Sequence, residues 1–100
     1  MADAVTYSVD EARALLPEIR STLLALAVER RRPSDAGDDV MALLDHLRSL
    51  GVMVRDLDAG LVDIPTVRDG EPAWLCWRLS DPELAWWHTT SEGFASRRPL

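Results

Sequence analysis

The chain contains no lysine, no asparagine and no glutamine. Without lysine there is no Schiff-base nucleophile, no anchor for pyridoxal phosphate and no phosphate-gripping lysine of a P-loop. There is one cysteine, Cys76, which excludes an internal disulfide and any paired-cysteine zinc motif. No apolar run approaches the roughly 20 residues needed to cross a bilayer, so no membrane partner is expected. The first residues have neither the basic segment nor the apolar stretch of a secretory signal. The expected compartment is therefore a reducing cytoplasm.

Positive charge is also scarce. The net charge is −6, with 17 acidic residues spread along the chain rather than gathered in a tail. That balance excludes a broad nucleic-acid footprint. Arg30, Arg31 and Arg32 form the one basic cluster. No glycine-rich or aromatic partner accompanies it, so it reads as the cationic end of a helix. What remains for chemistry is carboxylates, arginines, hydroxyls, two histidines and one thiol.

One hundred residues make one domain. The first element is a helix. Ser8 and Glu11 stand in capping-box spacing, and Ala12, Leu15, Leu16, Ile19, Leu23, Leu26 and Ala27 recur at helical period. Pro17 falls inside the run and is expected to kink it, and Pro33 to stop it. A turn over 33–39 follows, with Asp38 or Asp39 as the next cap. Val40, Leu43, Leu44, Leu47 and Leu50 make a second stripe, and Gly51 stands just past its end. The short connection makes an antiparallel helical hairpin over about 8–50.

Beyond Gly51 the period becomes alternating. Strands are expected over 52–56, 61–67, 73–79 and 84–89, with an irregular tail over 90–100. Pro65 confines its strand to an edge or a bulge. Asp69-Gly70 is a type I′ hairpin signal. The fold class is α+β: the helical hairpin, then an antiparallel β-meander of three to four strands over about 52–89, in one domain.

Centring the hairpin on Asp69-Gly70 puts Asp63 opposite Cys76 and Pro65 opposite Trp74. Centring the next turn on Asp81-Pro82 puts Leu75 opposite His88 and Trp77 opposite Trp86. One face then carries Val62, Ile64, Leu75, Trp77, Leu79, Leu84, Trp86 and His88. The other carries Leu61, Asp63, Pro65, Trp74, Cys76, Arg78, Ala85 and Trp87. A single bulge would reverse every residue beyond it, and His88 is the most exposed to that error.

The segments EARALLP (11–17), RDLDAGLVDIP (55–65), WLCWRL (74–79) and WWHTTSEGFASRRPL (86–100) together resemble an uncharacterised bacterial family, domain of unknown function 2203. The family's helical region is usually longer than this one. The resemblance implies no reaction. Its polar pattern points to Glu11, Asp56, Asp63, Cys76, His88 and Arg97.

Two functions fit these residues. The first is a non-catalytic interaction module, a homodimer formed through the tryptophan-bearing sheet face, with Trp74 and Trp87 at the interface. The second is a site for a divalent metal or a small molecule, possible in an enzyme, between the first helix and the sheet. Its candidates are Glu11, Asp63 and His88, supported by Asp56, Cys76, Arg78 and Arg97. Oxygen and imidazole ligands suit Zn, Mn, Fe or Ni. Glu11 has a competing role in the capping box, Glu18 as a solvated carboxylate and Cys76 as a small buried hydrophobe; His46 is read as surface. Asp63, in an apolar strand, needs a cationic partner, for which Arg78 or Arg97 is available. No sequence motif supports catalysis.

Overall fold

A computed structural model describes residues 5–31 and 37–100, apart from the side chain of Asp38. Arg32, Pro33 and the rest of the turn through 36 lie outside the described residues, whereas Asp38 and Asp39, expected to cap the second helix, fall inside it, because that helix already begins at Gly37. Two helices, α1 (Val9–Arg30) and α2 (Gly37–Ser49), precede five strands: β1 (Met53–Asp56), β2 (Leu61–Arg68), β3 (Glu71–Arg78), β4 (Trp86–Thr89) and β5 (Arg98–Pro99). The strands form one antiparallel sheet in the order β1-β2-β3-β4-β5. The expected α+β class is borne out. The tail adds a short fifth strand.

Local chemistry explains the element ends. The Glu11 N–H donates to Ser8 Oγ at 3.1 Å, and the Ser8 N–H donates to Glu11 Oε1 at 2.8 Å, completing the capping box. The helix runs unbroken through Pro17, whose missing N–H leaves the carbonyl of Arg13 without a helical donor. At the end of α2 the Val52 N–H reaches Leu47 O (3.1 Å) and the Gly51 N–H reaches Arg48 O (2.9 Å). This Schellman pattern needs a left-handed residue, and Gly51 supplies it at φ 80°. Asp69 (φ 52°) and Gly70 (φ 81°) make the type I′ turn. With that turn in place, β2 and β3 pair in the expected register, Asp63 opposite Cys76 and Pro65 opposite Trp74.

Both helices pack on one face of the sheet. Ala12, Ile19, Leu23 and Leu26 of α1, and Leu47 of α2, meet Val62, Ile64, Leu75 and Trp77 in the core. Pro65 sits where β2 extends beyond its pairing with β1. There the Tyr7 N–H donates to Pro65 O at 2.8 Å, and Thr66 Oγ1 donates to Tyr7 O at 2.7 Å, so the segment before α1 covers the exposed edge.

The third pairing departs from expectation by one residue. Cys76 stands opposite Trp86, Leu75 opposite Trp87 and Trp74 opposite His88. The sharp turn is not centred on Asp81-Pro82. The Asp81 N–H bonds back to Arg78 O at 2.8 Å, so the chain reverses around Leu79 and Ser80. Residues 82–85 then run on before β4 begins. The shift moves Trp86 and His88 onto the face away from the helices and turns Trp87 inward, against the core cluster.

Candidate functional site

The outer face gathers three chemically capable side chains from three neighbouring strands. Asp63 comes from β2, Cys76 from β3 and His88 from β4. Asp63 and Cys76 are directly opposed, and His88 is diagonal to Cys76 across the next pairing. All three are buried, at 2%, 0% and 1% exposure. One ligand-capable atom from each lies within 4.8 Å of the other two.

Hydrogen bonds fix the two polar members. His88 Nδ1 lies 2.8 Å from the carbonyl of Thr89, which only accepts, so Nδ1 carries a hydrogen. His88 Nε2 lies 3.0 Å from Asp63 Oδ1, which holds the other side of the ring. The other carboxylate oxygen, Asp63 Oδ2, accepts from Arg55 Nε at 2.9 Å. The partner expected from Arg78 or Arg97 is therefore Arg55. Arg55 falls at the irregularity where the β1–β2 register slips between Val54 and Asp56. Such a bulge re-aims a side chain, and here it brings the guanidinium to Asp63 and over the Trp74 ring at 5.2 Å. Burial, reinforced by the Asp63 charge, pushes the Cys76 thiol up to about 11 despite the opposing pull of Arg97. A thiol held neutral in this way is not an activated nucleophile.

The C-terminal tail completes the surroundings. The Arg97 guanidinium lies over the rings of Trp86 (4.7 Å) and Phe94 (4.3 Å) and donates to Asp81 Oδ2 at 2.9 Å. Arg78 donates to the same carboxylate through its backbone N–H and, at 3.4 Å, through Nε. Beside Asp63 the tail leaves a cavity of about 400 Å³, bounded by Arg55, Leu61, Thr90, Glu92 and Phe94.

The Asp81 anchor carries a pH signature. Burial pushes its carboxyl up, but Arg97 and Arg78 together outweigh burial and hold it below its ordinary value of 3.8. A carboxyl lowered by folding stabilises the folded chain above its unfolded value. That stabilisation is lost as pH falls through the lower folded value. Tail docking is thus expected to be constant through neutral pH and to weaken as pH drops below 3.8. The fluorescence of Trp86, whose ring lies under Arg97, will report the transition when Trp74, Trp77 and Trp87 are compared as controls. Asp81→Asn should show the undocked emission already at pH 7, and an unchanged acid transition in that variant would contradict the assignment.

Other candidate residues are placed elsewhere. Glu11 is exposed and occupied by its capping box at the start of α1, on the helical side of the sheet. The structure does not bring it near Asp63 and His88, whose site faces away from the helices. Asp56 Oδ1 accepts from the N–H groups of Asp58 (2.9 Å) and Ala59 (3.2 Å) and holds the β1–β2 turn. Glu18 and His46 pair at 2.7 Å between the helices. Trp74 keeps its place on the outer face, while Trp87 lies on the other face between Arg68 and Arg98. Arg55 and Glu92 are functional candidates that the sequence pattern alone does not single out.

The matching family model is described as an uncharacterised conserved protein (DUF2203) and covers residues 25–100. The chain belongs to the DUF2203 family. The matched span includes Asp63, Cys76, His88, Arg55 and the whole tail, whereas the EARALLP segment at 11–17 lies before it. The outer-face cluster of this DUF2203 chain is therefore within the family region, and Glu11 is not. No curated protein and no solved structure matches the chain.

Proposed function

We propose that this protein binds one divalent transition-metal ion through Asp63, Cys76 and His88. The observation that carries the reading is the convergence of three buried ligand atoms, within 4.8 Å of one another, on adjacent strands. Bond lengths of about 2.0–2.3 Å in a tetrahedral zinc site separate ligand atoms by roughly 3.2–3.7 Å. Small side-chain adjustments bring these three to that spacing. The Thr89 carbonyl holds Nδ1 and leaves Nε2 for the ion, the usual outer-shell arrangement of a ligating histidine. Arg55 keeps the second oxygen of Asp63. A mixed O, N, S set favours zinc, cobalt, nickel or iron over magnesium or calcium, which take oxygen. A reduced thiol suits the cytoplasm.

Cobalt titration of chelator-treated protein tests the reading. One equivalent of Co²⁺ is expected to produce a thiolate-to-cobalt charge-transfer band, absent in Cys76→Ala. Zinc at a hundredfold excess over Kd should add about 2.7 kcal/mol to stability, a rise in Tm of about 10 °C or more for a domain of this size. No band, together with an unmoved Tm, would sink the metal site.

A second reading, a homodimer through the outer face, is favoured by Val67, which is 54% exposed on that face beside half-buried Pro65 and Trp74. Trp87 does not belong to this surface. Light scattering on wild type and Val67→Glu separates the two: a dimer lost in the variant supports the interface.

A further inference from the structure

We propose that the cavity beside Asp63 binds a small monocarboxylate, gripped by the free end of the Arg55 guanidinium. Hydrogen-bonding capacity around this cavity is unevenly used. Every carboxylate oxygen that borders the cavity already accepts. Asp63 Oδ1 is taken by His88 and Oδ2 by Arg55. Glu92 Oε1 accepts from Thr89 Oγ1 at 2.9 Å and from Arg98 at 3.2 Å, and Oε2 lies 3.4 Å from the same arginine nitrogen. The polar groups left with no partner at all are donors. Among the described residues, neither terminal nitrogen of Arg55 makes a hydrogen bond, and neither does the Thr90 hydroxyl.

Arg55 is also held ready. Its flat face stacks on Trp74 and its Nε is tied to Asp63, yet its side chain remains 41% exposed. That fixes the guanidinium of a cavity-lining residue while leaving both terminal nitrogens without a protein partner, and such a two-nitrogen end pairs with a planar carboxylate. Preorganisation of this kind removes much of the ordering cost of binding. Charge sets the valence. Glu92 is paired with Arg98, and Asp63 with His88 and with Nε of Arg55, so the guanidinium offers one positive charge whose two terminal nitrogens have no carboxylate partner. One positive charge suits a monoanion better than a phosphate dianion. Leu61 and Phe94 supply an apolar wall for a short hydrocarbon chain, and a volume near 400 Å³ lies within the range of small-ligand pockets.

The proposal is independent of the metal site. Titrating chelator-treated protein keeps the two apart, because binding then proceeds without an ion. Sodium butyrate is the probe, with butylamine and phosphate as controls at fixed ionic strength. The readout is NMR shifts of the Thr90 and Gly93 amides and the Trp74 indole. Butyrate is expected to give saturable shifts at these positions, with butylamine giving none and phosphate binding more weakly. Arg55→Gln should weaken butyrate at least tenfold. Thr90→Val, an exposed change that the fold tolerates, should weaken it about threefold or more. Absence of saturable shifts with butyrate would overturn the proposal. So would equal binding of butylamine, tighter binding of phosphate, or unchanged affinity in both variants.

Discussion

Trp77→Ala is expected to lower the unfolding free energy by about 3–5 kcal/mol and to lower Tm by at least about 12 °C. Trp77 is fully buried, opposite Val62 on β2, and Arg20 of α1 lies 5.0 Å above its ring. Removing it empties the contact between helices and sheet, and neighbours on a paired strand cannot collapse into the space. The effect is a large share of the stability of an ordinary domain, so partial unfolding at 37 °C is the expected phenotype. Trp77→Phe is the informative control. The indole Nε1 is buried without a hydrogen-bond partner among the described residues. Phenylalanine discards that orphaned donor and keeps most of the ring, so its cost should be about 1 kcal/mol or less. Denaturant unfolding of the two variants checks both values, and a loss well above about 1 kcal/mol in Trp77→Phe would show that the indole nitrogen is satisfied in solution.

The second large effect is expected from Asp63→Ala, about 3 kcal/mol by urea unfolding. Asp63 joins His88 and Arg55, so its loss strands a buried imidazole nitrogen and leaves the Nε–H of Arg55 without its acceptor. His88→Ala removes only one of the carboxylate's two partners and leaves Arg55 in place. It should cost less, about 1–2 kcal/mol. A loss below about 1 kcal/mol for Asp63→Ala would mean that water reaches the pair, since exposed pairs contribute no more than that.

Which parts of this structure could be read from sequence follows from the distance over which each instruction acts. Ser8 with Glu11, Gly51 and Asp69-Gly70 each act within a few residues, and each stands where the pattern places it. The β2–β3 register follows directly from the last of these, so Asp63 opposite Cys76 was legible. The next connection contains no turn signal that fixes its parity. Asp81-Pro82 looks like the centre, but the Asp81 N–H closes the turn earlier. A shift of one residue exchanged the two tryptophans Trp86 and Trp87 and moved His88 to the outer face. Arg55 was illegible for a similar reason, because its aim depends on the slip between Val54 and Asp56. Glu11 illustrates the converse: a conspicuous carboxylate whose local capping role accounts for it fully.

The meander has one consequence for how such a chain can vary. Asp63, Cys76 and His88 belong to consecutive strands, joined by hairpins and facing away from α1 and α2. The site is therefore assembled from neighbours along the chain and needs no residue from either helix. Changes in helix length, crossing or tip reach it only through the backbone of the shared strands. The two faces of this sheet are insulated from one another, so the helical half is free to diverge while the polar cluster on the far side keeps its geometry.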